Sequence, residues 1–226
     1  PEAVENSRGK FREVENVYDL AGKIVIFAPH AIVGGKGHLE LLMALKQLRS
    51  KNVAVVISSG VNDTTYYNSL KEYCQDNGLT YRVVRQQGLG TFSLVDIGNS
   101  YDSRVDVVFV EGGMDIKMLP TFYLSVDIMA LPTYSEAFSL SLCEAQIMGV
   151  PVVATRIGGM PDAIVDGETG VLFELGLRDG YWWDSQMQAQ NLQDALAKFI
   201  EMTSGQRIEM GKRARRFIVD NHHPVN

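Results

Sequence analysis

The stretch LPTYSEAFSLSLCEAQIMGVPVVATRIGG, Leu131 to Gly159, decides how the rest of the chain is read. Two acids, Glu136 and Glu144, are separated by seven residues and followed by Gly149, Pro151 and the apolar run Val152-Val153-Ala154. Between and after them, Phe138, Leu140, Leu142, Cys143, Ala145, Ile147 and Met148 leave little polar face, so the spacing predicts a helix buried nearly all round. A carboxylate inside such a helix costs several kcal/mol unless paired, protonated or hydrogen-bonded, so Glu144 requires a partner. Glu136 follows Tyr134-Ser135, where a polar segment opens the helix that Gly149 closes, and is expected at the helix N-terminus. That end offers backbone N–H groups and the positive pole of the dipole, a site for phosphate. In one continuous helix the acids stand about 12 Å apart, from a rise of roughly 1.5 Å per residue. A nucleoside diphosphate sugar has comparable reach. The structural alternative makes Glu136 a capping acid and Glu144 half of a buried ion pair.

Upstream, Lys23–Ala28 (KIVIFA) reads as a buried parallel strand, and HAIVGGKGH leads into an amphipathic helix over 39–48. Gly34-Gly35-Lys36-Gly37 is not a nucleotide-triphosphate loop. The position six before Lys36 is His30 where that loop needs glycine, and Gly37 replaces the Ser/Thr that holds magnesium. Strands follow over 53–58, 81–84, 105–110 and 126–131, with a helix over Thr64–Asn77 capped by Asp63 and an apolar segment from Met118 to Leu124. Residues 86–104 read as irregular, with Gly88 and Gly90 in a turn. Strands alternating with helices imply a parallel sheet covered on both faces, with ligands outside the carboxyl ends of the strands. His30 to Gly37, Gly60, Glu111 to Gly113, Tyr134 to Leu140 and Arg156 to Gly159 all fall at such ends.

The run SEAFSLSLCEAQIMGVPVVATRIGGMPDAIVDGETGVLF resembles the donor-binding signature of retaining glycosyltransferases of the GT-B fold, glycosyltransferase family 4 in particular. The shared pattern is an acid, seven residues and a second acid, then Gly149 to Val152, Gly158-Gly159 and a hairpin from Asp166-Gly167 to Gly170. The resemblance extends from about Lys23 to Val219 and implies an α/β Rossmann-like parallel sheet with helices on both faces, one half of a GT-B fold. It implies a linker-like segment over 1–22, a nucleotide-sugar donor-binding domain over 23–220 and a tail over 221–226. It further implies transfer of a sugar from a nucleotide-diphosphate sugar with retention of anomeric configuration, no cofactor beyond that donor, and no required metal. Carried over residue by residue, Lys36 neutralises the departing diphosphate and Glu136 positions the donor sugar. Gly35, Gly37, Gly112, Ala137, Phe138, Ser139 and Leu140 line the donor, and Glu144 accepts the ribose hydroxyls. The family usually carries an arginine five residues before the lysine as a second diphosphate contact; here that position is Ala31. The acceptor is expected to be a sugar, glycan or glycolipid held largely by an N-terminal domain outside this chain, so the isolated chain is expected to be inactive. A nucleotide-sugar epimerase of the same fold, or a binding module without transfer activity, are the alternatives.

Composition fits this class. Across 226 residues, 46% hydrophobic and 21% charged content is ordinary for a globular α/β protein. A net charge of −6 and a pI near 5.2 lack the basic footprint of a nucleic-acid partner. No apolar run reaches the ~18 residues that span a bilayer, and residues 1–18 have no signal-peptide core, which points to a cytoplasmic protein. Cys74 and Cys143 have no metal-like spacing. Helices are expected over 192–202 and 208–219. The second carries Lys212, Arg213, Arg215 and Arg216, a solvated face or a peripheral contact with an anionic membrane. His222-His223 lies in the tail and is no metal site. Trp182-Trp183 reads as a loop anchored to the core by at least one ring, or as an acceptor or interface contact.

Overall fold

A computed structural model describes Leu20, residues 22–88, 91–98, 105–112, Lys117 and residues 119–221. Almost all of the expected linker over 1–22 and of the tail over 221–226, including His222-His223, lies outside the described residues. In chain order the elements are β1 (Ile24–Ala28), α1 (His38–Leu48), β2 (Val53–Ser59), α2 (Thr64–Asp76), β3 (Tyr81–Gly88), β4 (Thr91–Gly98), β5 (Val107–Glu111), α3 (Leu119–Ser125), β6 (Ile128–Leu131), α4 (Leu140–Ile147), β7 (Val152–Thr155), α5 (Met160–Ala163), β8 (Gly170–Phe173), β9 (Leu177–Arg178), β10 (Trp182–Trp183), α6 (Ser185–Ile200) and α7 (Ser204–Asn221). Eight strands form one sheet in the order β4-β3-β5-β2-β1-β6-β7-β8, parallel throughout except for the edge strand β4. This is the α/β Rossmann-like architecture expected from the alternation of strands and helices.

The central strands β1, β5, β6 and β7 are largely apolar because both faces are covered. In β1, Ile26 and Ala28 enter the core shared with α1, α2 and α6, whereas Val25 and Phe27 enter the core shared with α3, α4, α5 and α7. The same alternation divides Val55 and Ile57 from Ala54 and Val56 in β2, and Val107 and Phe109 from Val108 and Val110 in β5. Asp63 caps α2 as expected, accepting from the Tyr66 N–H at 2.9 Å.

Four expectations are corrected. Residues 86–88 and 91–98 are not irregular, and the rest of the 86–104 stretch lies outside the described residues: β3 runs on to Gly88 and pairs antiparallel with β4, with register shifts at Val83/Val84 and Gln86/Gly88. These irregularities, and the exposed apolar side chains of Leu94, Val95 and Ile97, blur the period-2 signal of an edge strand. The Asp166 to Gly170 segment is a tight turn, with the Gly167 N–H donating to the Gly170 carbonyl; it delivers β8 parallel to β7 rather than forming an antiparallel hairpin. Helices α6 and α7 begin seven and four residues before the expected starts. For α6 the signal lies in the cap, since the Asp184 carboxylate accepts from the N–H groups of Gln186 and Met187 while the polar first turn hides the apolar period. Finally, α4 is shorter than expected and not buried all round, a difference that bears on the site.

Helix α7 closes the sheet by laying Gly211 against the turn at the end of α4. A Cβ built on Gly211 meets the Gly149 carbonyl oxygen at 1.9 Å. In an exposed helix, glycine to alanine stabilises by about 1 kcal/mol. Here Gly211→Ala is expected instead to destabilise the fold by about 1–3 kcal/mol through overpacking, measured as a lower urea midpoint at unchanged m-value. A stabilised variant would contradict this packing.

Candidate functional site

Three loops meet at the carboxyl edge of the sheet, after β1, β6 and β7. The β1–α1 loop carries Lys36, and its Gly35 carbonyl accepts from the Tyr134 N–H at 2.9 Å and the Thr133 hydroxyl at 3.2 Å. Gly37 has φ +75°, and a Cβ there meets the Pro132 carbonyl oxygen at 2.1 Å, so both conformation and contact demand glycine. On the other side, Gly158 at φ +48° would place a Cβ 1.8 Å from the Glu136 carbonyl oxygen. The Gly159 N–H donates to the Ala137 carbonyl at 2.7 Å. Residues 132–138 are thus held between two glycine turns, backbone against backbone.

This clamp brings two sequence-predicted residues into contact: Lys36 Nζ donates to Glu136 Oε2 at 2.9 Å, with both side chains partly buried. Glu136 is not at a helix N-terminus. Helix α4 begins at Leu140, capped by Ser139, whose hydroxyl accepts from the Leu142 N–H at 3.4 Å, so Glu136, Ala137 and Phe138 lie in the loop before it. The helical distance between the two acids therefore does not apply. Nor is Glu144 buried: it is exposed, and its Oε2 accepts from the Tyr123 hydroxyl at 3.1 Å. Burial, and next the neighbouring Glu144 charge, push the Tyr123 phenol above its ordinary value, so it stays a donor. On α4 only Leu142, Ala145 and Gln146 are buried, and Phe138, Leu140 and Ile147 are exposed at 40%, 74% and 43%. The near-continuous apolar sequence thus gives an exposed apolar strip beside the site rather than a submerged helix. Gly112, at φ +83° just after β5, lies two strands from β1, or about 10 Å at the usual strand spacing. Ala31 is partly exposed in the same β1–α1 loop as Lys36.

Several participants carried no sequence signal of their own. Glu40, on the buried face of α1, accepts from the Tyr134 hydroxyl at 2.9 Å and from the Ser185 hydroxyl at 2.6 Å. An acid inside an otherwise apolar helix face was the available clue. Burial raises the Tyr134 phenol, with the Ser185 hydroxyl opposing and Glu40 adding to the rise. Buried Gln188 donates to the Pro132 carbonyl at 3.1 Å and the Thr155 hydroxyl at 3.2 Å, tying α6 to the same loop. Beneath Lys36 lie His30 and His38. His38 is buried with both ring nitrogens outside hydrogen-bond geometry, as is Nδ1 of His30. Burial first, and then Lys36, lowers His30 to about 4. For His38, burial first, then His30 and Lys36, lower the ring to about 3 against an opposing effect of the His30 backbone. Among the described residues, no group of three or more His, Cys, Asp or Glu is gathered as a metal ion would need.

Comparison with known proteins bears on the fold and the family. The chain superposes on Anabaena HepE, whose structure holds UDP and glucose, with a TM-score of 0.69 at 18% identity, covering 94% of this chain and 48% of HepE. It covers 92% of the C-terminal domain of a group 1 family glycosyl transferase, LpcC, from Francisella tularensis, with a TM-score of 0.65 at 19% identity. The fold is therefore that of one half of a GT-B glycosyltransferase. The family model of the group 1 glycosyl transferases matches residues 100–217, and the chain belongs to that family. A 56-residue segment is 54% identical to the D-inositol 3-phosphate glycosyltransferase of Corynebacterium diphtheriae, 25% of this chain and 13% of that enzyme. The chain thus spans about half the length of HepE and aligns with a smaller part of the curated relative.

The buried histidines generate a pH prediction. Their folded-state values lie below the ordinary 6.5, so as pH falls the unfolded chain takes up protons first and stability declines. Above pH 6.5 both states are neutral at these rings and no change arises. From pH 6.5 down to about 5, each ring should remove on the order of 1–2 kcal/mol, at 1.36 kcal/mol per unit of difference. Urea midpoints measured across this window should fall, and fall less in His38→Phe; equal slopes in the two proteins would show that His38 is not held neutral.

Proposed function

We propose that this chain is the donor-binding half of a retaining glycosyltransferase, over residues 23–220, and that the loops around Lys36 and Glu136 receive a nucleoside diphosphate sugar. The observation that carries the proposal is the 2.9 Å pair of Lys36 and Glu136 at the carboxyl edge of a parallel sheet, in a chain of the group 1 family. An ammonium has three N–H donors, so one carboxylate leaves it capacity for a diphosphate oxygen. Charge develops on the diphosphate as the glycosidic bond breaks, and a cation fixed there lowers the barrier more than one that must be recruited. Glu136, anchored through its backbone, directs its carboxylate to the sugar; Gly35 and Gly37 let the loop approach the phosphates. Ala137, Phe138, Ser139 and Leu140 line the donor's path, and Gly112 lies farther along the same edge. Exposed Glu144 receives the ribose hydroxyls while Tyr123 fixes its orientation. UDP in HepE makes a uridine donor the first to test. No metal or further cofactor enters this scheme.

Most of the acceptor site belongs, on this proposal, to a second domain. Transfer of a sugar to a sugar, glycan or glycolipid, in the cytoplasm and next to a membrane or away from it, is a property of the whole enzyme. No helix among the described residues is long and apolar enough to cross a membrane. The exposed Lys212, Arg215 and Arg216 of α7, with Glu209 3.6 Å from Lys212 and Arg216, would supply a peripheral contact. Ala31 in place of a second cation favours one competing reading, a nucleotide-sugar-binding module without transfer.

Calorimetry with UDP and with uridine tests the site. Lys36→Ala is expected to weaken UDP at least ten-fold while leaving uridine within two-fold. Glu144→Gln should weaken both by about 1.5–3 kcal/mol, the range for hydrogen bonds to a charged group. Equal losses for UDP and uridine in Lys36→Ala would remove the lysine from the diphosphate, and unchanged affinity in Glu144→Gln would make Glu144 a structural acid.

A further inference from the structure

Beside the Lys36–Glu136 site stands a patch of a different kind. Strands β9 and β10 form an antiparallel hairpin, Trp182 opposite Arg178 and Trp183 opposite Leu177, closed by Asp179 and Gly180, both at positive φ. Its tip exposes Tyr181 at 85%, Trp182 at 74% and Trp183 at 65%. Both tryptophans are largely exposed, and Trp183 is the ring that anchors the loop, packing on buried Tyr134 as expected of at least one of the pair. Exposed rings of this extent stand out among the described aromatic side chains, which are otherwise buried or partly buried apart from Phe138, and they mark a contact surface.

The hairpin is fixed at both ends. The Arg178 guanidinium donates to Asp184 Oδ2 at 2.6 and 3.0 Å, and Asp184 in turn caps α6. The Gly176 N–H donates to Gln188 Oε1 at 2.7 Å, and a Cβ on Gly176 would meet the Gln188 nitrogen at 2.2 Å. Strand alternation turns Trp183 and Leu177 to one face of the hairpin, Trp182 and Arg178 to the other. The Trp183 ring packs on that of Tyr134, centroids 5.2 Å apart and tilted by 43°. Tyr134 is bonded through its own N–H to Gly35, next to Lys36, and lies two residues before Glu136. One residue, Tyr134, therefore links the indole through its ring to the loops of both charged residues through its backbone.

We infer that the exposed Trp183 ring, backed by buried Tyr134 and with Tyr181 at the hairpin tip beside it, is a stacking platform for a pyranose or similar ring of the saccharide that accepts the transferred sugar. This rests on the sugar-transfer reading of the neighbouring site. The chemistry of the patch selects such a ligand. Its apolar part is flat rings, and the exposed Arg178, Asp179 and Gln186 of the same segment add donors and acceptors. A sugar ring offers the complement, an apolar C–H face with hydroxyls around its edge. An indole held rigidly against Tyr134 orders few side-chain rotamers on binding, and its position next to Glu136 brings an acceptor hydroxyl towards the donor site.

Trp182 and Trp183 are the chain's two tryptophans, so indole fluorescence reports on this hairpin alone. The 226-residue chain is titrated with maltose, methyl α-mannoside and myo-inositol, with acyclic sorbitol as the control and UDP binding followed by calorimetry in parallel. At least one cyclic ligand should shift the emission saturably, and sorbitol should not. By saturation-transfer NMR, Trp183→Ala should weaken that ligand at least ten-fold and Trp183→Phe, which keeps a ring, no more than three-fold, while UDP affinity is unchanged in both. No saturable shift with any of the three, or unaltered affinity in Trp183→Ala, overturns the platform even where UDP binds. Loss of UDP binding in the unaltered chain with saccharide binding intact would instead overturn the donor site and leave the platform standing.

Discussion

Backbone-to-backbone contact at the carboxyl edge of the sheet is the constraint on which the rest of the site depends. The segment Pro132–Phe138 has no regular structure of its own, yet its position is set on every side. The Pro132 carbonyl sits where a side chain on Gly37 would be and accepts from Gln188; the Glu136 carbonyl sits where one on Gly158 would be. Backbone enclosure, together with side-chain bonds of Gln188, Thr133 and Tyr134, places the Glu136 carboxylate and leaves it to meet Lys36. The glycines serve this approach, and a direct contact with phosphate comes second.

The electrostatics follow from the enclosure. Lys36 and Glu136 satisfy each other across two loops while keeping some exposure, so neither suffers the full penalty of a buried charge. Burial first, and the Lys36 ammonium after it, disfavours protonation of His30 and His38, and both remain neutral packing groups under a positive site. Glu40, Tyr134 and Ser185 form the deeper layer, binding α1 and α6 to the same loop. Polar groups thus hold the loop from below and leave one ion pair facing outward.

Much of this was legible in the sequence, for identifiable reasons. The apolar strands and the Gly-Val-Pro-Val junction at residues 149–152 announce a parallel sheet because both its faces are buried. The ordered run of acids and glycines from Glu136 to Gly170 announces the edge at which they meet. What failed to show was geometry set by tertiary contact. Ser139, rather than Tyr134-Ser135, caps α4, and Glu136 falls outside the helix, where the glycine turn at 158–159 packs against the backbone of residues 136–137. Glu144 is exposed because α4 presents an apolar strip to solvent, which no count of apolar residues distinguishes from a core. Strand β4 escaped notice because a bulged edge strand alternates poorly. The hairpin at Trp182-Trp183 had a turn signal in Asp179-Gly180, but two-residue strands give no period to read.

A crystal structure of the chain with UDP tests the central claim most directly. The account predicts a diphosphate oxygen within hydrogen-bond distance of Lys36 Nζ, the ribose hydroxyls on Glu144, and residues 132–138 unmoved between their glycine turns. UDP bound away from the Lys36–Glu136 pair, or a 132–138 loop rebuilt to admit it, would contradict the account.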